Sequence, residues 1–208
     1  ANYEREVEPG EMLVFDETGM RSLCFGKAEG PCARCLLELI YFARPDSLVF
    51  GETPHLFRKR SGAVLAEEHP VQADIVVAIP DSGMSAAMGF ADAPGISLER
   101  GLIRNHYIGR SFIAPGQEAR AKAVRMKHNV VREVVRGKRV ALVDDSLIRG
   151  TTTAALGRDL REAGATEVHL RIACPPTRHP CIYGVGFPSR EELLAHNFSL
   201  EAIRERLN

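Results

Sequence analysis

The sequence predicts an α/β domain in which helices flank a parallel sheet. Three short apolar runs that are rich in β-branched residues, 73–79, 140–143 and 168–173, alternate with segments of helical spacing. Continuous apolar runs are typical of strands buried on both faces, and their alternation with helices is typical of a parallel sheet. Because ligands bind such sheets beyond the carboxyl ends of the strands, the loops after Ile79 and Val143 are the first candidates for a site.

Upstream of the first run, the chain predicts a hairpin and two helices. Apolar residues at 12–15 lead into turn residues at 16–19, which indicates a short hairpin. Residues 36–43 are apolar with one acid and predict a short helix. Residues 54–68 place apolar side chains near helical spacing, and His69-Pro70 should end that helix.

Between and after the apolar runs, helices and loops complete the α/β pattern. The segment 118–136 predicts a long helix, because its valines form an apolar stripe with arginine and lysine opposite. The other expected elements are a helix at 82–91, a brief strand at 96–98, a loop rich in glycine, arginine and aromatic residues at 101–116, and a helix at 152–163.

The charge of the chain is balanced as a whole but uneven along its length. The 208 residues hold 27 Lys and Arg and 27 Asp and Glu, and this neutrality argues against a general nucleic-acid binder. Between Arg100 and Arg139, however, eleven basic residues face two acids, a net of nine positive charges. This excess indicates local capture of an anion, or else a solvated helix face. No apolar run approaches the roughly 18–20 residues of a membrane span.

The cysteines favour a reducing compartment. There are five of them, an odd number, and no export signal opens the chain, so a cytoplasmic location is expected. Cys32 and Cys35 form a C-x-x-C pair, which is a metal or redox spacing only if further ligands join it. Free thiols are the alternative interpretation of this pair.

The most informative stretch is VALVDDSLIRGTTT, from Val140 to Thr153. An apolar strand delivers Asp144 and Asp145 to its carboxyl end, and Gly150 with three threonines follows at a helix start. Adjacent carboxylates repel each other and so favour a divalent cation or a polyhydroxyl group as partner. The glycine and the free N–H groups of the helix start suit a phosphate. Together they predict a site for a sugar phosphate with Mg²⁺, whereas an ordinary capped turn needs only one acid.

This stretch resembles the loop of type I phosphoribosyltransferases that binds 5-phosphoribosyl 1-pyrophosphate (PRPP). The form DDS-x-x-RGTT is that of the amidophosphoribosyltransferases. Five further blocks resemble the same family in the same order: YFARPDS (41–47), IPDSGMSAA (79–87), GLIRNHYIGRSFIAPGQ (101–117), VRMKHN (124–129) and PCIYGVGFPSREELLAH (180–196). The resemblance implies a lead-in and junction segment at 1–50 that packs on a C-terminally truncated type I phosphoribosyltransferase domain at 51–208.

The resemblance assigns the two aspartates to the ribose hydroxyls of PRPP, as catalytic residues. With Ser82 they would also lie around Mg²⁺, and Asp81 and Ser82 would belong to the loop for the pyrophosphate. The 5′-phosphate would be held by Ser146, Arg149, Gly150, Thr151, Thr152 and Thr153.

The segment 101–117 resembles a flexible lid loop that closes over PRPP. Within it Tyr107 and Ile113 match residues of an ammonia passage, and Arg110 matches a catalytic residue that meets the pyrophosphate. Lys127 matches a further pyrophosphate contact. A lid over a polyanion would account for the local basic excess, and it would exclude the water that hydrolyses PRPP.

The implied reaction transfers ammonia to C1 of PRPP and releases pyrophosphate, giving 5-phosphoribosylamine in the first step of de novo purine synthesis. Family members carry an N-terminal glutaminase half with a cysteine nucleophile, but no cysteine precedes Cys24 here. We therefore expect no glutaminase activity from this chain and a need for free ammonia. The full-length family member is expected to be a homo-oligomer, without a nucleic-acid or membrane partner.

One branch of the family holds a [4Fe–4S] cluster on four cysteines. Cys35 and Cys181 match two of these ligands by context, and the other two would lie beyond Asn208. Because such a cluster needs four thiolates, we expect an incomplete set in this chain, with Cys32 as an alternative ligand.

Two other functions remain open for the same fold. A PRPP-sensing regulator would bind PRPP without turning it over and would usually carry a DNA-binding module, of which the sequence shows no sign. A salvage phosphoribosyltransferase would require a nucleobase as acceptor. The lid-like segment favours the amidophosphoribosyltransferase.

Overall fold

The computed structural model describes residues 4–26, 30, 33–105, 128–181, 186 and 189–207. These residues form two compact units, Ala1–Arg34 and Cys35–Asn208. The strands are β1 Glu11–Asp16, β2 Gly19–Cys24, β3 Ile75–Ala78, β4 Ser97–Glu99, β5 Leu102–Arg104, β6 His128–Val130, β7 Arg139–Asp144 and β8 Glu167–Ile172. The helices are α1 Pro54–Glu68, α2 Met84–Asp92, α3 Arg132–Val135, α4 Thr151–Glu162, α5 Leu194–Asn197 and α6 Leu200–Leu207, and a π-helical turn spans Glu38–Phe42.

The first unit is an antiparallel hairpin of β1 and β2, as the sequence predicts. Its turn is closed by Asp16, whose Oδ1 accepts a hydrogen bond from the backbone N–H of Thr18 at 2.9 Å. An aspartate in this position stabilises a tight turn because its side chain satisfies a backbone donor locally.

The second unit is built on a parallel sheet in the order β4-β3-β7-β8. The two central strands pair from Ile75 with Val140 to Ala78 with Val143, and all four residues of β3 are buried. This confirms the predicted α/β architecture. Because β3 and β7 are neighbours and parallel, the loops that follow them open at the same edge of the sheet.

Helices cover both faces of this sheet. On one face Val77 and Leu142 pack in a cluster with Leu160 of α4. On the other face Val76 packs in a cluster with Phe90 of α2. The alternation along each strand explains why the strand sequences are apolar throughout, since successive side chains point to opposite, equally buried faces.

The helices α1 and α2 approach each other through two glycines. A Cβ on Gly62 would lie 1.9 Å from the carbonyl oxygen of Ala86, and one on Gly89 would lie 1.8 Å from that of Lys59. The backbones are therefore in direct contact at this crossing. This contact holds α2, and with it the loop after β3, close against the rest of the unit.

The predicted helix at 118–136 is wrong in its described part. Residues 128–130 instead form β6, which pairs antiparallel with β5, and only Arg132–Val135 is helical. The predicted loop at 101–116 likewise contains β5. A valine stripe fits a strand as well as a helix, because β-branched residues favour extended backbone. Residues 106–127, with the rest of that predicted helix and most of the predicted lid, lie outside the described residues.

The C-terminal helices α5 and α6 were not predicted as elements. They attach to the unit through Leu193, which is fully buried, and Ile203, which is 6% exposed. Arg206 also stacks over the ring of Phe198 at 3.7 Å. In the part of the chain that the structure describes, no helix has the length and apolar character needed to cross a membrane.

We predict that Gly62→Ala destabilises the chain, because its methyl group would press on the Ala86 carbonyl and separate two helices. The expected loss in the free energy of unfolding is about 2 to 3 kcal/mol, measured by urea denaturation. The matched control is Gly157→Ala in α4, where the new methyl group meets only the mobile end of Arg161 at 3.4 Å. That variant should gain about 0.5 to 1 kcal/mol from helix propensity. Equal effects of the two variants would refute the packing argument.

Candidate active site at the carboxyl ends of the central strands

Two buried aspartates end the central strand β7. Asp144 is 9% exposed and Asp145 is 4% exposed, so both carboxylates lie in the interior. Asp144 Oδ1 accepts the backbone N–H of Asp145 at 2.9 Å, and Asp145 Oδ1 accepts the hydroxyl of Ser146 at 2.9 Å. The pair predicted from the sequence is thus placed where a parallel sheet binds its ligands.

Burial makes the negative form of both carboxylates unfavourable. It raises the pKa of Asp144 to about 8, with the charge of Asp145 as the second cause. Burial also raises the pKa of Asp145, against the hydrogen bond from Ser146, which lowers it. Two such groups side by side indicate a binding site, because their burial becomes favourable only when a cation or hydroxyl donors bind to them.

One oxygen of this pair lacks a hydrogen-bond partner in the described part of the chain. Among the described residues Asp145 Oδ2 is buried and makes no hydrogen bond. A buried acceptor without a donor is costly, so an unpaired one in a native fold requires an explanation. A bound cation or a ligand hydroxyl would supply the missing partner.

The loop after β3 brings a hydroxyl to the same place. Ser82 Oγ lies 3.5 Å from Asp144 Oδ1. The loop can come this close because residue 83 is glycine: a Cβ there would lie 2.6 Å from the carbonyl oxygen of Val143. Ser82 and the two aspartates therefore form a cluster of oxygen ligands from two neighbouring strands.

Asp81, predicted beside Ser82 in the pyrophosphate loop, makes an ion pair in the structure. Its carboxylate binds Arg104 of β5 at 2.5 Å, and the Pro80–Asp81 peptide bond is cis. His128 of β6 lies with Nε2 at 3.2 Å from the carbonyl oxygen of Pro80 and donates to it in the Nε2–H tautomer. The β5–β6 pair thus supports the loop that carries Ser82.

The predicted phosphate cradle begins at a left-handed residue. Gly150 has φ = +74°, and α4 starts at Thr151. Glycine adopts this conformation without the steric cost that other residues would carry. The first turn of a helix leaves its N–H groups without partners in the helix, so Thr151, Thr152 and the buried Thr153 present a ready anion site.

Arg149 lies in this loop but its guanidinium points to another segment. Nε donates to Oε2 of Glu192 at 2.7 Å, and Nη2 also donates to this oxygen. Nη2 reaches the carbonyl oxygen of Gly186 at 3.2 Å as well. This pairing could not be predicted from the sequence, because the two residues are 43 positions apart and only the fold brings them together.

A buried arginine near the aspartates was also missed. Arg58 of α1 is 6% exposed, and it donates to the carbonyl oxygens of Leu39 and Ala43, each at 2.8 Å. Burial lowers the pKa of Arg58, and the charge of Asp145 acts in the opposite direction. Nothing in the sequence around Arg58 indicates that it is buried, since an arginine on a helix is usually exposed.

The predicted iron–sulfur ligands do not form a site in the described residues. Cys35 is exposed and Cys181 is half-buried, and neither forms a disulfide bond among the described residues. No three Cys, His, Asp or Glu side chains gather into a metal-binding group in the part of the chain that is described. The donors needed for a [4Fe–4S] cluster are therefore not assembled there. Cys32 lies outside the described residues.

The residues predicted to form the lid contacts lie outside the described part of the chain. Four predicted residues fall within 106–127, outside the described residues: Tyr107, Arg110, Ile113 and Lys127. The described part of the basic segment ends at Asn105 and resumes at His128. Its two ends, β5 and β6, flank the loop that carries Ser82.

We predict that Asp144→Asn stabilises the ligand-free chain at neutral pH. The folded protein keeps a proton on Asp144 up to about pH 8, whereas an unfolded aspartate loses it near pH 4. The contribution of this group to stability is thus full below pH 4 and is lost as the pH rises towards 8. The gain of the variant over the wild type in free energy of unfolding should therefore grow from about pH 4 to pH 8, as measured by urea denaturation without Mg²⁺. Asp92→Asn, at the exposed end of α2, is the control, and an advantage of Asp144→Asn that did not depend on pH would contradict the assignment.

Comparison with known proteins identifies the relatives of this chain, although no protein-family model matches it. It is 51% identical over 205 residues to the chloroplastic amidophosphoribosyltransferase of Glycine max, covering 99% of this chain and 36% of that protein. It is 51% identical over 207 residues to the amidophosphoribosyltransferase of Bacillus subtilis, covering 100% of this chain and 43% of that protein.

A solved structure shows the same fold. The glutamine PRPP amidotransferase of B. subtilis, complexed with ADP and GMP, matches with a TM-score of 0.85 and 51% identity, over 99% of this chain and 45% of that one. This confirms the predicted type I phosphoribosyltransferase fold. The chain spans less than half the length of the relatives that it matches. Over nearly all of its own length, the chain is therefore homologous to the amidophosphoribosyltransferases and shares their fold.

Proposed function

We propose that this chain binds PRPP with Mg²⁺ and transfers ammonia to C1 of its ribose. Pyrophosphate leaves and 5-phosphoribosylamine forms, which is the first step of de novo purine synthesis. The observation that carries the proposal is the buried pair of Asp144 and Asp145, one oxygen of which has no partner among the described residues, beside a helix start suited to a phosphate. The relatives named for this reaction share about half of their aligned residues with the chain.

The residues at the end of β7 fit a magnesium ion. Asp144, Asp145 and Ser82 supply oxygen ligands, which is the donor type that Mg²⁺ prefers, and the unpaired Oδ2 of Asp145 faces no competing donor among the described residues. Mg²⁺ usually takes one or two carboxylates and completes its shell with water and phosphate oxygens. When bound, the ion would neutralise charge on the departing pyrophosphate.

The carboxylates also suit the ribose itself. Hydroxyl groups of a ribose can donate to Asp144 and Asp145, which orients the ring and offsets the cost of burying the two acids. Displacement at C1 places positive charge on the ribose in the transition state. Fixed negative groups in a buried site stabilise such charge without the need to reorganise water.

The 5′-phosphate of PRPP would lie at the start of α4. The N–H groups and hydroxyls from Ser146 to Thr153 surround the left-handed turn at Gly150 and would bind the 5′-phosphate. Arg149 contributes its backbone to this loop.

The pyrophosphate end would be bound by the loop of Asp81 and Ser82 together with the lid. Arg110 and Lys127 are proposed to meet the pyrophosphate, and Tyr107 and Ile113 to line the path of ammonia. The basic excess between Arg100 and Arg139 supports this assignment, since a polyanion would be enclosed there. Arginine suits the task because it stays charged when it is removed from water.

The proposal also covers the nitrogen donor, the oligomeric state and the compartment of the enzyme. The nitrogen donor is ammonia, supplied free or by a glutamine-hydrolysing partner, and the assembled enzyme is a homo-oligomer. A reducing compartment such as the cytoplasm agrees with the four described cysteines, none of which forms a disulfide bond in the described part of the chain. No step is assigned to an iron–sulfur cluster, because its ligand set is not assembled in the described residues.

We predict Mg²⁺-dependent release of pyrophosphate from PRPP when the chain is supplied with an ammonium salt. Asp144→Asn should lower kcat/KM by about 100-fold or more, since it removes a carboxylate that a bound Mg²⁺ would keep ionised near the reacting ribose. Asp92→Asn should leave the rate unchanged. Coupled detection of pyrophosphate measures both effects.

The same assay separates the other functions of this fold. A PRPP sensor would bind PRPP and release no pyrophosphate with any acceptor. A salvage enzyme would release pyrophosphate only when a nucleobase is added. An activity that Asp144→Asn left intact would overturn the assignment of the site.

A further inference from the structure

The phosphate loop is held from behind by the C-terminal segment. The guanidinium of Arg149 donates twice to one carboxylate oxygen of Glu192, and once to the carbonyl oxygen of Gly186. One residue earlier in the loop, the carbonyl oxygen of Ile148 accepts the backbone N–H of Leu194 at 2.9 Å. Two consecutive loop residues are thus bound by residues 192 and 194.

The turn at Gly150 is packed from the same side. A Cβ on this glycine would lie 2.9 Å from Cδ2 of Leu194 and 3.3 Å from Cδ2 of Leu207. These leucines therefore lie directly against the left-handed turn that precedes α4. The conformation that exposes the N–H groups of α4 to a phosphate is supported by an ion pair, a backbone hydrogen bond and apolar contact.

The segment that supplies these contacts is itself fixed. The side-chain amide of Asn197 donates to the carbonyl oxygens of Arg190, Glu191 and Leu193, at 3.2, 3.0 and 2.8 Å. The side chain of Leu193 is fully buried. Glu192 and Leu194 therefore project from a turn that is anchored on both sides, and they can transmit that rigidity to the loop.

We propose that residues 189–207 act as a clamp on the phosphate loop and that Glu192 is a positioning residue for 5′-phosphate binding. The role of the Arg149 side chain is to bind this clamp, while the backbone of the loop meets the phosphate. This inference rests on the proposed function, because it assumes that the loop binds the phosphate of PRPP or of a related sugar phosphate.

A purely electrostatic role and a positioning role of Glu192 predict opposite effects of its removal on phosphate binding. A glutamate beside a phosphate site repels the ligand, so its removal should tighten binding if charge alone mattered. If Arg149 were a direct phosphate ligand for which Glu192 competes, removal would also tighten binding. If Glu192 holds the loop, removal weakens binding in spite of the more favourable charge. The sign of the change decides between these roles.

The test is the affinity of the 208-residue chain for ribose 5-phosphate, measured by titration calorimetry. Glu192→Gln should weaken binding by about three- to fivefold, as expected for the loss of a well-formed but half-exposed ion pair. Arg149→Lys should weaken it to a similar degree, since lysine keeps the charge but cannot reproduce the two parallel donations. The control is Glu191→Gln, which removes the same charge one residue earlier, where the carboxylate lies beside Ser189. It should bind as tightly as the wild type or slightly more tightly.

A kinetic measurement distinguishes a positioning role of Glu192 from partial unfolding of the variant. In the ammonia-dependent assay, Glu192→Gln should raise KM for PRPP about three- to fivefold and leave kcat within twofold, whereas partial unfolding would lower kcat. Glu192→Gln binding ribose 5-phosphate as tightly as wild type, or more tightly, would overturn the clamp alone. A wild-type chain that bound neither ribose 5-phosphate nor PRPP would overturn the proposed function, and the clamp with it.

Discussion

Two adjacent aspartates carry their carboxyl groups into the interior at the end of β7, and the rest of the site is arranged around them. Burial disfavours their charge and raises the pKa of Asp144 to about 8. Within the described residues, their surroundings offset only part of this cost, because Ser146 and Ser82 approach the pair while Asp145 Oδ2 makes no hydrogen bond. Such a pair in a native fold indicates a ligand that supplies the missing positive charge and hydrogen-bond donors. A cation together with ribose hydroxyls would provide both charge and donors.

The architecture places three structural supports around this pair. The parallel neighbours β3 and β7 bring the serine loop and the aspartates to one edge, and Gly83 allows the two loops to touch. The glycine contact between α1 and α2 holds the serine loop from one side of the sheet. The C-terminal segment holds the phosphate loop from the other side, through Glu192 and Leu194. Each support acts on the backbone of a loop that, in the proposed function, binds a phosphate of PRPP.

Much of this arrangement could be predicted from the sequence, because its signals are local. The strands β3 and β7 are built on continuous apolar runs, and α1 ends at Glu68, just before the His69-Pro70 pair that was predicted to stop it. The segment around Val130 was predicted wrongly, since a valine stripe does not separate a helix from a strand whose partner lies far along the chain. The pairing of Arg149 with Glu192 and the burial of Arg58 were not predictable for the same reason, as each depends on residues that only the fold brings together.

The central claim is that the two aspartates bind PRPP through a cation, and calorimetric titration of PRPP with and without Mg²⁺ tests it most directly. The account predicts that wild-type chain binds PRPP at least tenfold more tightly with Mg²⁺ than without it, an effect of about 1.4 kcal/mol or more. It also predicts that Asp144→Asn loses most of this difference. Equal affinity of the wild type in the two conditions, or an undiminished magnesium effect in Asp144→Asn, would contradict the account.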